Sequence, residues 1–140
     1  MSLALRERIY EIYKTFSEGD FNRLGDMFDE NVDFISNAPI EIFPYLGRRI
    51  GRTEVIKALS AVHSEFEAIE YLPLRILVED QTAGLIVSIN LTQRKTKRLM
   101  RFFSANFLRF RDNRIVEYRA FLDSFEAAQQ VLGREFNVTK

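Results

Sequence analysis

The sequence predicts an α+β domain in which three N-terminal helices pack on a curved, mainly antiparallel sheet. Three observations predict it. Helical apolar spacing fills much of the first half of the chain, the period then changes to two and stays there, and polar breakers separate the alternating runs at hairpin distances.

Leu5, Ile9, Ile12, Tyr13 and Phe16 recur at helical spacing and mark an amphipathic helix that stops near Gly19. Asp20 is placed to cap a short second helix carrying Phe21, Leu24, Met27 and Phe28. Val32, Phe34 and Ser36 then alternate with Asp33 and Ile35, the pattern of a short strand. Pro39, Pro44, Gly47 and Gly51 punctuate an apolar loop from Asn37 to Gly51, which is expected to fold back over the body of the domain. Thr53 is placed to cap a third helix whose inward stripe is Val55, Ile56, Leu59, Val62, Phe66 and Ile69.

Leu72, Leu74, Ile76 and Val78 open the alternating half, followed by a turn at Asp80 to Thr82. Leu85, Val87, Ile89 and Leu91 form the next run, which ends in the basic stretch Arg94 to Arg98. A long strand runs from Leu99 to Phe110, turns at Asp112-Asn113 and returns from Ile115 to Leu122. Asp and Asn both tolerate a left-handed backbone, so the pair makes a two-residue hairpin turn. A last helix spans Phe125 to Leu132 and ends at Gly133.

The long strand is apolar on both sides. Met100, Phe102, Leu108 and Phe110 lie on one face, and Leu99, Phe103, Ala105 and Phe107 on the other. Helices cover one face of such a sheet, and an antiparallel strand with one wet face carries polar residues there. The second apolar face therefore predicts an association surface, and a homodimer packed sheet to sheet is the expected arrangement.

Composition bounds the function. With 140 residues, 46% apolar and 29% charged, residues 1–140 form a single folded domain with a core of its own. Twenty basic residues balance twenty acidic ones, which leaves no electrostatic footprint for nucleic acid. The absence of cysteine excludes disulfides, thiolate metal sites and cysteine nucleophiles, and no metal site or cofactor is expected. Arg6, Glu7, Arg8 and Glu11 break the N-terminal apolar pattern, so neither a signal peptide nor a membrane span is expected there, and the expected location is the cytoplasm.

Four stretches, in order along nearly the whole chain, carry a family resemblance: Glu18-Gly-Asp-Phe-Asn-Arg-Leu-Gly-Asp-Met-Phe-Asp-Glu-Asn-Val32, Gly47-Arg-Arg-Ile-Gly-Arg-Thr-Glu-Val-Ile56, Phe107-Leu-Arg-Phe-Arg-Asp-Asn-Arg-Ile-Val116 and Tyr118-Arg-Ala-Phe-Leu-Asp123. The chain resembles the SnoaL-like polyketide cyclases and ketosteroid-isomerase-related proteins of the nuclear-transport-factor-2-like superfamily. That resemblance implies a cone-shaped fold with a deep apolar cavity between helices and sheet, and often a dimer.

Catalytic positions of the ketosteroid isomerases carry over poorly. Their general-base aspartate at the end of the first strand aligns with Ser36, and their oxyanion-hole tyrosine and protonated aspartate align with Ile12 and Asn106. Tyr13 stands one residue on, about 100° around the helix. Serine is no carboxylate base, so steroid isomerisation by that machinery is not expected.

Two residues are candidates for moving a proton. His63, the single histidine, lies at the edge of the third helix's apolar stripe, either as a boundary residue or as an acid–base group. Asp123 matches the acid–base aspartate of SnoaL-like cyclases, but with Glu126 three residues on it also reads as the cap of the last helix. Tyr13, Asn106 and Tyr118 are polar tips on apolar faces, and with Phe34, Ser36, Met100 and Phe102 they make the expected ligand-binding set. The function read from these residues is cofactor-free acid–base chemistry of isomerase, aldol-cyclase or dehydratase type on a small apolar carbonyl compound. The alternatives are a non-catalytic binding module for an apolar ligand and a dimeric scaffold domain.

Overall fold

A computed structural model describes residues 2–40 and 42–133. Helix α1 (Ser2–Glu18) is followed by α2 (Phe21–Gly25), β1 (Phe28–Ser36), β2 (Arg48–Ile50) and α3 (Arg52–Glu65). Strands β3 (Phe66–Glu79), β4 (Thr82–Gln93), β5 (Leu99–Arg111) and β6 (Arg114–Leu122) come next, and α4 (Ser124–Leu132) closes the described chain. The six strands form one curved, mixed sheet in the order β2-β1-β6-β5-β4-β3. Only β1 and β6 run parallel; the other neighbours are antiparallel.

The three N-terminal helices are part of a set of four: β1, as expected, and β2, which was not, stand between α2 and α3, and the expected last helix is α4. Asp20 does cap α2, accepting from the Arg23 amide, but the helix ends at Gly25 and Phe28 already belongs to β1. Thr53 is not the cap of α3. Gly51, at φ 90°, occupies that position without a side-chain bond, and its own amide donates to the Val32 carbonyl across the sheet edge.

Helix α3 also stops earlier than its apolar stripe. Phe66 is extended and pairs with Gln93, so the sheet claims Phe66 and Ile69 and overrides their helical spacing. In β3 the register shifts between Pro73 and Arg75. Leu72 and Leu74 consequently face outward, while Ile76 and Val78 face the core; one extra residue flips the alternation.

The core lies between the concave sheet face and the helices. Ile9, Ile12 and Phe16 of α1 and Val55 and Val62 of α3 meet Leu85, Val87, Ile89, Met100, Leu108 and Ile115 from the sheet. On the convex face Leu77, Leu99, Phe103, Phe107 and Phe121 stay exposed, as the two-sided pattern of β5 requires. Phe103 retains 62% of its accessible surface and Phe107 52%.

Both turn residues of the β5–β6 hairpin have positive φ, 52° at Asp112 and 64° at Asn113. That is the two-residue primed turn read from the Asp-Asn pair, whose twist matches the flanking strands. Asn113→Val is expected to lose about 1–2 kcal/mol, because a β-branched residue bears the left-handed penalty in full. Asn113→Gly should cost little; urea denaturation of the two variants checks the difference.

Candidate functional site

The polar centre of the molecule is built around one buried amide. Asn106, in the middle of β5, is 2% exposed, and its Oδ1 accepts from the Ser104 hydroxyl at 2.5 Å. Its Nδ2 donates to the hydroxyl oxygens of Tyr13, at 2.5 Å, and Tyr118, at 3.1 Å. Strand parity explains the meeting. Asn106 pairs with Ala120 and its neighbour Leu108 with Tyr118, so these side chains share the concave face beneath α1. Phe34, opposite Tyr118 in the parallel β1–β6 pair, stacks on its ring at 4.6 Å.

Tyr13 and Tyr118 are the two phenols of this network. The Tyr13 oxygen accepts from Asn106, as does that of Tyr118, and the two phenols lie next to one another. If one phenol donates to the other, a single phenol proton of the Tyr13–Tyr118 pair is left without an acceptor among the described residues. Burial pushes the Tyr13 hydroxyl up to about 12, and the bonds from Asn106 and Tyr118 hold it from rising further. Tyr118 is raised well above its ordinary value by burial and by the adjacent Tyr13 oxygen. Tyr71 and Tyr45 are also raised, chiefly by burial, and the Tyr45 hydroxyl donates to Glu65 at 2.6 Å.

The space beside these groups is small. One chamber of about 30 Å³ is lined by Tyr13, Phe16, Phe34, Tyr71 and Tyr118 among others. A second, also about 30 Å³, lies toward the 37–47 loop and is lined by Phe43, Tyr45, Tyr71, Met100 and Phe102 among others. The deep single cavity implied by the resemblance is therefore replaced by two pockets, each with room for a water or two. The predicted ligand set is divided accordingly: Tyr13, Phe34 and Tyr118 border the first pocket, while Met100 and Phe102 border the second. Asn106 backs the first without lining it, and buried Ser36 caps its own turn by accepting from the Ala38 amide at 3.3 Å.

Neither proton-transfer candidate is brought to these pockets. His63 Nε2 bonds the Phe16 carbonyl at 2.7 Å, and its ring stands edge-on between Phe16 and Phe21. It staples the C-terminus of α1 to α3. Gly19, at φ 76°, lies so close that an added Cβ would meet the ring at 3.3 Å. Asp123 is the N-cap of α4 and accepts from the Glu126 amide at 3.0 Å, the capping alternative of its sequence reading. No carboxylate or imidazole lines either pocket among the described residues, and these residues hold no His, Cys, Asp and Glu group able to grip a metal. None of the helices they form is long and apolar enough to cross a membrane.

Tyr71 and Tyr45 were missed by sequence reading. Tyr71 is hidden because the irregular start of β3 obscures its inward parity, and Tyr45 because it lies in a loop without a period.

The fold places the chain among the α+β proteins with helices against a curved, mixed six-stranded sheet. It belongs to the SnoaL-like domain family, whose profile matches residues 9–118, more than three-quarters of its length. A Rhodopseudomonas palustris protein provisionally described as an isomerase is 26% identical, with 88% of this chain and 91% of that one covered at a TM-score of 0.80. TerC, crystallised with polyporic acid, is 12% identical over 91% of this chain and 98% of its own, at 0.80. An LEH-like epoxide hydrolase of M. tuberculosis is 12% identical over 91% and 88%, at 0.74. Under such low identity the last two share the fold. None of the curated proteins matches the sequence.

The four inward tyrosines make stability alkali-sensitive in a defined direction. A phenol whose folded pKa is raised supports the fold fully below its unfolded pKa of about 10, and that support is lost as pH climbs toward the folded value. For Tyr13 the window closes at about 12. Each such group steepens the loss by up to about 1.4 kcal/mol per pH unit. In an alkaline titration the phenolate absorbance of Tyr13, Tyr45, Tyr71 and Tyr118 is expected to appear only with unfolding, and Tyr13→Phe should make the stability decline shallower.

Proposed function

We propose that the protein binds a small, largely apolar molecule carrying one hydrogen-bond-accepting oxygen, a carbonyl or hydroxyl, and that Tyr13 donates to that oxygen. One observation carries this reading: Asn106 donates to both buried phenol oxygens, so the Tyr13–Tyr118 pair has one phenol proton with no acceptor among the described residues. A buried donor left unused costs about 1–3 kcal/mol, which a ligand oxygen would recover. Apolar walls around a few placed polar groups are the usual make-up of a small-molecule site.

A binding module takes precedence over the acid–base enzyme. The same tyrosine could steady a developing oxyanion, but isomerase, cyclase or dehydratase chemistry also needs a base at the pocket, and a general base supplies about 10²–10⁴ in rate. Asp123 and His63 are committed to a helix cap and a helix staple. With 2-naphthol as probe, Tyr13→Phe is expected to weaken binding by about tenfold, the worth of one hydrogen bond. Asp123→Asn and His63→Ala should leave its affinity unchanged; equal binding by Tyr13→Phe and the unaltered protein would sink the reading.

The convex face supports a second proposal, a homodimer. Leu77, Leu99, Phe103, Phe107 and Phe121 form an exposed apolar band, with Phe107 and Phe121 in edge contact at 6.4 Å. Arg109, Glu117 and Arg119 beside them carry both signs of charge, which suits a surface that meets its own copy about a two-fold axis. Sedimentation should give a dimer for the unaltered chain and a folded monomer for Phe103→Asp with Phe107→Asp; a monomer from the outset would contradict it.

A further inference from the structure

We infer that Tyr71 is the movable partition of the binding site, setting the size of molecule admitted and opening a path from the groove between α1 and β3. The inference rests on the pocket reading above and adds how a ligand reaches the pocket. Neither chamber holds more than a water or two, so a side chain has to move before any organic molecule enters. Among the described residues Tyr71 alone borders both chambers, and it also borders an outer groove of about 440 Å³ lined by Tyr10, Lys14, Glu18, Leu72 and Pro73 among others. Displacing its ring joins all three spaces.

The surroundings permit that motion. Strand β3 is the edge of the sheet, so its outer side meets α1 without a backbone ladder. Two side chains close the seam: Ser17 Oγ accepts from the Tyr71 amide at 3.0 Å, and Arg6 donates to the Ile76 carbonyl at 2.6 Å. The groove straddles the first of these ties, reaching from Tyr10 and Pro73 on one side of it to Glu18 and Ile69 on the other. Register shifts flank Tyr71 on both sides, between Glu67 and Glu70 and between Pro73 and Arg75, and Ala68 has φ 50°. The ring itself is held by an edge contact with Phe16 at 4.8 Å. Its hydroxyl has no hydrogen-bond partner among the described residues. A tyrosine without a polar anchor gives up only packing when it swings.

Stopped-flow fluorescence of 2-naphthol, with folding checked by circular dichroism, tests the inference. Tyr71→Ala, or the milder Tyr71→Leu if the first variant unfolds, is expected to raise the association rate by about tenfold, and Tyr71→Phe to leave it unaltered. Lys14→Trp, which narrows the groove, should slow association and dissociation by the same factor and leave the equilibrium constant in place. An unchanged association rate in a folded truncation overturns the partition, and so does absence of binding in every form. Binding to the truncation alone would make Tyr71 a fixed wall and overturns it as well. If Tyr71→Ala speeds association while Tyr13→Phe changes nothing, the Tyr13 reading fails and the partition stands. If Tyr13→Phe weakens binding while Tyr71→Ala leaves the rate unchanged, the partition fails and Tyr13 remains the donor.

Discussion

A buried amide governs the interior of this protein. Asn106 sits at 2% exposure in a strand whose concave face is, but for Ser104, lined by aliphatic and aromatic groups. An amide in such a place must find partners for two donors and an acceptor, and it does so with Ser104, Tyr13 and Tyr118. Its chemistry differs from that of a protonated carboxyl group, which has one proton to give. Asn106 gives two and does not ionise, so it fixes both tyrosine oxygens as acceptors and leaves a phenol proton over. The direction of that proton gives the pocket its polarity.

The same residues show why the fold was more legible than the site. Periodicity is set by burial on one face, so α1, β4, β5, the Asp112-Asn113 turn and the Gly133 stop could be read directly from spacing and turn chemistry. The boundaries that failed are those where tertiary pairing competes with local pattern. Phe66 continues a helical stripe but is taken into the sheet by Gln93, and the bulge after Pro73 reverses the parity of Leu72 and Leu74. Strand β2 is three residues long and carries no period at all.

Site residues were legible only where parity reached them. Tyr13, Asn106 and Tyr118 follow from polar tips on apolar faces, and the structure joins them by hydrogen bonds. His63 was drawn in as a candidate by its chemistry and Asp123 by the family resemblance, yet a carboxylate beside Glu126 and an imidazole beside Phe16 serve helix ends. Tyr71 could not be found without three-dimensional knowledge, since its importance lies in being common to three spaces. With Ser36 turned to its own loop and no carboxylate at the pocket wall among the described residues, polarity here is donated rather than taken.

The most direct measurement is the infrared carbonyl stretch of a small aryl ketone such as 1-indanone bound in the pocket. Donation from a phenol backed by Asn106 and Tyr118 lowers that frequency below its value in an apolar solvent, and Tyr13→Phe restores it. A bound ketone whose stretch matches the apolar solvent in the unaltered protein would contradict the assignment of Tyr13 as the donor.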